Sequence, residues 1–157
     1  EDLVELLEAK GVEIVPITLH AGRWKFKPVG VEDLSKHRTD SEEYYIPDAT
    51  AEAVNRALRS DENTVTACGT TVVRTLESSL SADKSLKPDH SWTDLFVYPE
   101  YDFQIVERLI TNFHRPESTV MMMAAAFAGY DFLFEAYEEA FEEEYRLYAF
   151  GDAMIIE

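Results

Sequence analysis

The stretch "ESTVMMMAAAFAG", residues 117 to 129, limits the fold more than any other. Its turns carry apolar residues on nearly every side, and a helix of that kind must be covered by other elements rather than lie on a surface. The next stretch, "YDFLFEAYEEAFEEEY", is amphipathic and predicts a second helix with Phe134, Tyr137, Phe141 and Tyr145 inward and glutamates outward. Upstream, β-branched runs alternate with helical patterns. "GVEIVPITLH", "NTVTACG", "DLFVYP" and "FQIVERLITNFH" read as strands, "DATAEAVNRALRS" and "TTVVRTLESS" as helices, and "RLYAFGDAMIIE" as a closing strand. The polar segment from Leu80 to Trp92 reads as a loop. Helices that repeatedly follow hydrophobic strands predict an α/β layered core, with a largely parallel sheet flanked by helices.

With 157 residues the chain fits one domain, 1–157. The single Cys68 rules out an internal disulfide framework and a cysteine metal cluster; in an apolar strand it is expected to pack as a small hydrophobe. The longest apolar run, Val120 to Ala128, is too short to cross a bilayer, so a cytoplasmic protein without a membrane partner is expected. The chain opens on "EDLVELLEAKG", within an amphipathic helix stopped by Gly11, which reads as a cut chain. With 14 basic and 31 acidic residues the net charge is −17, which repels a nucleic-acid backbone unless basic groups are gathered locally. Adaptation to high salt is a second reading of the same acidity.

Two strand-to-helix corners carry the candidate chemistry. At Gly69-Thr70-Thr71 a strand runs directly into a helix whose apolar arc, Val72, Val73, Leu76 and Leu80, leaves Thr71, Arg74 and Ser78 together on the other side. Unpaired N–H groups and the positive end of the helix dipole suit an anion or a ribose there. The plainer reading is a threonine N-cap with Arg74 paired to Glu77 or another acid. "LITNFHRPEST" repeats the arrangement: Asn112 and His114 stand at the end of a strand, Pro116 stops it, and Ser118 or Thr119 caps the buried helix. His20 before Gly22 is a third polar strand end, and Gly151-Asp152 interrupts the last strand where a ligand could approach. Four scattered histidines lack zinc-ligand spacing, so no metal is expected, and no nucleotide-binding or esterase motif is present.

The stretches "ITLHAGRWKFKPV", "HRTDSEEYYIP", "GTTVVRTLESS", "WTDLFVYPEYDFQIVERLITNFHRPEST", "AFAGYDFLFEAYEEAFEEEYR" and "FGDAMII" resemble the C-terminal portion of the S-adenosylmethionine:tRNA ribosyltransferase-isomerase family of queuosine biosynthesis. The resemblance implies an enzyme that moves the ribosyl part of S-adenosylmethionine onto 7-aminomethyl-7-deazaguanine at the anticodon wobble position of tRNA, and rearranges it to give epoxyqueuosine. It also implies an α/β core whose inserted β-barrel domain is absent from this chain. S-adenosylmethionine would be the donor substrate, tRNA the partner, no metal would be needed, and a monomer is expected. A sulfonium acidifies the adjacent ribose hydrogens, so a base is required; His114 and His20 are the candidates for proton transfer. Gly69, Thr70, Thr71, Arg74, Asn112, Ser118, Thr119, Gly22 and Asp152 are the candidates for holding the substrate. Arg23, Lys25, Lys27, Lys36 and Arg38 form the one local basic cluster and are expected to face tRNA.

The chain also departs from that family's usual pattern. A small glycine-rich stretch gives way to His20-Ala21-Gly22-Arg23-Trp24-Lys25-Phe26, and Thr39-Asp40-Ser41-Glu42 replaces Met-His-Ser-Glu. Glu100 stands at a usual glycine and Arg115 at a usual leucine. An upstream segment of the family has no counterpart here, so this piece alone is expected to turn over little or nothing. The alternative reading is a diverged, non-catalytic module on the same fold that binds a nucleoside or a protein.

Overall fold

The computed structural model describes residues 2–22 and 28–157. Its elements are α1 (Asp2–Ala9), β1 (Thr18–Leu19), a 3-10 turn (Leu34–Lys36), β2 (Glu42–Ile46), α2 (Asp48–Ala57), β3 (Thr66–Cys68), α3 (Thr70–Ser78), β4 (Asp89–Thr93), β5 (Arg108–Asn112), α4 (Thr119–Ala128), α5 (Tyr130–Glu142) and β6 (Ala153–Ile156). The α/β class holds, and neither described sheet closes into a barrel. The strand directions differ from expectation. One sheet, ordered β1-β2-β4, is antiparallel throughout; the other, β3-β5-β6, has one parallel pair, β3 with β5, and an antiparallel β6.

The reason lies in where the helices lead. A parallel sheet needs each helix to return the chain to its own sheet. Here α2 carries the chain from β2 in the first sheet to β3 in the second, and α3 carries it back to β4 in the first. Both helices bridge sheets. Placed between two sheets, α3 buries Val73, Arg74, Thr75, Leu76 and Glu77, far more of its circumference than a one-sided arc predicts. Glu77 accepts hydrogen bonds from the backbone N–H groups of Gln104, Ile105 and Val106 at 2.9 to 3.0 Å, and so fixes the approach to β5.

The core gathers Ile46, Val73, Leu86, Val97, Ile105, Leu109, Met121, Met123 and Leu133. Helix α4 is buried as expected, through Thr119, Met121, Met123, Ala124 and Ala125. In α5 the inward residues are Leu133 and Ala140, with Tyr137 half-buried, whereas Phe141 is 75% exposed and Phe134 and Tyr145 are also exposed. Leu133, Tyr137 and Ala140 follow one another at helical spacing along the inward face, and Phe134 and Phe141, each one position further on, are turned away from it. Cys68 is exposed rather than packed, because β3 is an edge strand and only its alternate residue, Ala67, faces the core. "DLFVYP" is extended but unpaired, and the ladder partner of β2 comes instead from Asp89–Thr93, within the segment that reads as a loop. No single described helix is long and apolar enough to cross a membrane.

Glu100 has φ of 77°, the left-handed region that side chains disfavour by roughly 1–2 kcal/mol. Glycine at this position removes that strain and adds unfolded-state entropy, so Glu100→Gly is expected to stabilise the fold by roughly 0.5–1 kcal/mol. Calorimetry should show the melting temperature rising by about 2–3 °C; a lower melting temperature would contradict the strain argument.

Candidate active site

A cavity of about 620 Å³ opens at the carboxyl end of β5. Thr70 at the start of α3, Asn112 in the last ladder pair of β5 with Phe113 and His114 just after it, and Ser118 and Val120 at the start of α4 line it, with Pro28, Arg115, Glu117 and Tyr148. Two helix N-termini therefore meet one strand end, the place where open α/β sheets receive ligands. The junction follows from local sequence. Gly69 adopts φ of 104°, which a glycine tolerates, and its N–H donates to the Ile110 carbonyl at 2.8 Å, so β3 turns into α3 while still held to β5. Ser118 caps α4 by accepting from the Met121 N–H at 3.2 Å, and its hydroxyl donates to the Arg115 carbonyl at 2.6 Å.

His114 is held from two sides. Its Nε2 lies 2.8 Å from the buried Thr111 hydroxyl, and its backbone N–H donates to the Tyr137 hydroxyl at 2.5 Å. Because β5 ends at Asn112, strand alternation no longer governs His114, which is why it folds back toward Thr111. Burial lowers the imidazole pKa to about 4, so the ring is neutral near pH 7. Asn112 donates to the carbonyls of Gly151 and Asp152 at 3.3 and 3.2 Å, tying the lead-in of β6 to the cavity wall. Asp152 faces Arg146, at 2.5 Å, whose hydrogen bonds hold its carboxyl below the usual carboxylate range.

Arg74 requires a correction. The guanidinium is 0% exposed, donates to the Leu95 carbonyl at 2.8 Å and the Thr93 carbonyl at 3.3 Å, and is ion-paired with Glu42, itself 1% exposed. Burial disfavours its charge and Glu42 favours it. It braces α3 against β2 and β4 and does not line the cavity. The other oxygen of Glu42 accepts from the Gly22 N–H. His20 and Gly22 thus stand at the end of β1, with the His20 N–H donating to the Glu43 carbonyl at 2.8 Å; neither lines the cavity. Gly69, Thr71, Thr119 and Asp152 also lie off its lining. The Thr119 hydroxyl is buried without a hydrogen-bond partner, the only such side-chain atom among the described residues.

Of the basic cluster, Arg23, Lys25 and Lys27 lie outside the described residues. Lys36 is exposed and pairs with Asp33 at 3.1 Å, and Arg38 caps its own turn by donating to the Ser35 and His37 carbonyls. Beside them stands an aromatic row that sequence reasoning missed: His37 lies 4.7 Å from Phe96, and Phe96 5.2 Å from Tyr98, centroid to centroid. Tyr148 was also missed. It has φ of 70°, and its N–H donates to the Phe113 carbonyl at 2.9 Å, a pairing across 35 residues that no local pattern announces.

Residues 1–156 match the model of a family described as queuosine biosynthesis protein. The chain belongs to that family. Among its relatives, a protein of Cytophaga hutchinsonii named S-adenosylmethionine:tRNA ribosyltransferase-isomerase is 47% identical over 99% of this chain and 44% of its own length. A protein of the same name from Clostridioides difficile is 44% identical over 99% of this chain and 46% of its own length. A crystal structure of S-adenosylmethionine tRNA ribosyltransferase from Thermotoga maritima superposes with a TM-score of 0.76 at 39% identity, covering 99% of this chain and 49% of that one. The chain therefore spans under half the length of these relatives. In this chain the cavity draws on two of the stretches that carry the sequence resemblance, GTTVVRTLES through Thr70 and LITNFHRPEST through Asn112 to Ser118.

Proposed function

We propose that this chain supplies one wall of the site at which the ribosyl group of S-adenosylmethionine is transferred to 7-aminomethyl-7-deazaguanine at the wobble position of tRNA and rearranged to epoxyqueuosine. The observation that carries the reading is the convergence of both family motifs on one cavity at a strand's carboxyl end. Strain agrees with it. Two of the five described non-glycine residues with positive φ, Glu117 and Tyr148, line that cavity, and such conformations collect at sites where geometry is held for function.

In this reading Thr70 and Asn112 bind the ribose hydroxyls or the base, and Ser118 presents the α4 N-terminus. His114, neutral and held by Thr111, is the group placed to accept the C5′ proton that the sulfonium acidifies. S-adenosylmethionine is the donor substrate, adenine and methionine are the leaving parts, no step calls for a metal, and a monomer suffices. Lys36 and Arg38, with the His37, Phe96 and Tyr98 rings beside them, form the RNA-facing edge, since cations next to aromatic rings suit unpaired bases and phosphates.

The reading is tested in the 157-residue chain and in the Thermotoga maritima protein with its matching region replaced by this chain. Calorimetry should show saturable S-adenosylmethionine binding in the graft, with Thr70→Val and Asn112→Ala each weakening it roughly tenfold while circular dichroism stays unchanged. Equal affinity in both variants would withdraw the cavity as the site. In the same graft, Lys36→Glu with Arg38→Glu should weaken tRNA binding and flatten its salt dependence; unchanged affinity would remove the RNA edge.

A further inference from the structure

The sharpest unexplained feature of the cavity is a pair of opposite charges that do not meet. Arg115 and Glu117 both line it and both are exposed. Among the described residues, no hydrogen bond or ion pair engages the Arg115 guanidinium; only its carbonyl is used, by the Ser118 hydroxyl. Glu117 contributes its backbone carbonyl to the Val29 N–H at 2.8 Å and holds φ of 59°, and its carboxylate likewise has no described partner. What sets this pair apart from the chain's other unpaired charges is that both members line one cavity. Pro116 lies between them, and the cap at Ser118 pins the loop to α4.

Electrostatics sorts the two charges. Arg115 sits beside the cap of α4, whose free N–H groups and dipole favour a negative group, and the N-terminus of α3 reaches the same cavity through Thr70. An oxyanion is thus favoured at Arg115, whereas a simple anion filling the cavity would meet the Glu117 carboxylate. A ligand group that carries both signs a few ångströms apart satisfies both side chains.

We infer that Arg115 and Glu117 form a subsite for an α-amino-acid head group, Arg115 binding its carboxylate and Glu117 its ammonium. This rests on the proposed function in one respect: the methionyl end of S-adenosylmethionine is the amino-acid group that reading brings to the cavity. A guanidinium here supplies a bidentate carboxylate ligand, which an apolar side chain cannot. Arg115 is then a specificity-determining residue.

The experiment is calorimetric titration of the chain and of the graft with three probes: L-methionine, S-adenosylmethionine and its decarboxylated analogue. Arg115→Leu should weaken S-adenosylmethionine and L-methionine roughly tenfold or more and leave the decarboxylated analogue unchanged. Glu117→Gln should weaken all three, since each carries the ammonium, and Arg115→Lys should restore part of the carboxylate binding. If Arg115→Leu weakens tRNA alone while Glu117→Gln strengthens it, the guanidinium binds a phosphate and the amino-acid subsite is overturned. If S-adenosylmethionine binding depends on Thr70 and Asn112 but not on Arg115, the subsite fails and the proposed function stands. L-methionine binding that depends on Arg115 and Glu117, without any binding of S-adenosylmethionine, keeps the subsite and ends the proposed function.

Discussion

Arg74→Met is expected to lower the unfolding free energy by about 3–5 kcal/mol, a large share of the roughly 5–15 kcal/mol that holds a domain together. The cost comes less from the lost attraction than from what is left behind. Glu42 is 1% exposed, and without Arg74 its charge stays in the interior with the Gly22 N–H as its remaining described partner. The Leu95 and Thr93 carbonyls lose a donor as well. Urea unfolding should show a lower midpoint with an unchanged slope. Pairing the change with Glu42→Leu should recover part of the loss, because replacing both members of a buried ion pair by apolar groups removes the stranded charge. A loss under about 1 kcal/mol for Arg74→Met would mean that water reaches Glu42 and that the brace is not what joins α3 to the first sheet.

That brace also marks the boundary of what the sequence shows. The strand-glycine-helix pattern at Gly69 gives α3 and the end of it that reaches the cavity, because a short apolar strand, a glycine and two threonines are local signals. Arg74 is read outward because a helical wheel assumes one buried face. It becomes inward because α3 lies between two sheets, and Glu42 reaches it across 32 residues. The same cause reverses the strand directions: a helix after a strand is visible in the residues, whereas the sheet to which it leads is not. His114 and Asn112 stand at the strand end as the motif suggests, and Ser118 is the cap. Tyr148 and Phe96 escaped notice because their placement depends on distant partners, through a backbone bond to Phe113 for Tyr148 and a tilted ring contact with His37 for Phe96, against which Tyr98 then packs.

His114 should couple stability to pH over a window of its own. Its pKa is near 6.5 when the chain is unfolded and about 4 when folded, lowered by burial. Between these values the unfolded chain binds more protons, so stability rises with pH across the window. It is fully present above about 6.5 and is lost as pH falls toward 4, by about 3 kcal/mol at the acid limit. The carboxyls of Asp33, Asp83 and Asp152 are held below their usual 3.8 and add their acid sensitivity beneath this window. Subtracting the urea-derived stability of His114→Asn from that of the unchanged protein, pH by pH, should isolate the imidazole. A flat difference between pH 4 and 6.5 would show that the ring is hydrated. The same shift sharpens the catalytic proposal. A neutral ring can accept a proton without first losing one, yet a base with so low a pKa is weak unless the bound ligand raises it. If His114 removes the ribose proton, the amide of His114→Asn, which can hydrogen-bond but not carry the proton, keeps S-adenosylmethionine binding in the graft and loses turnover by roughly 10²–10⁴-fold. Turnover that survives in His114→Asn and fails in His114→Ala would instead make the imidazole a hydrogen-bonding partner of the substrate, with Thr111 and Tyr137 fixing where it points.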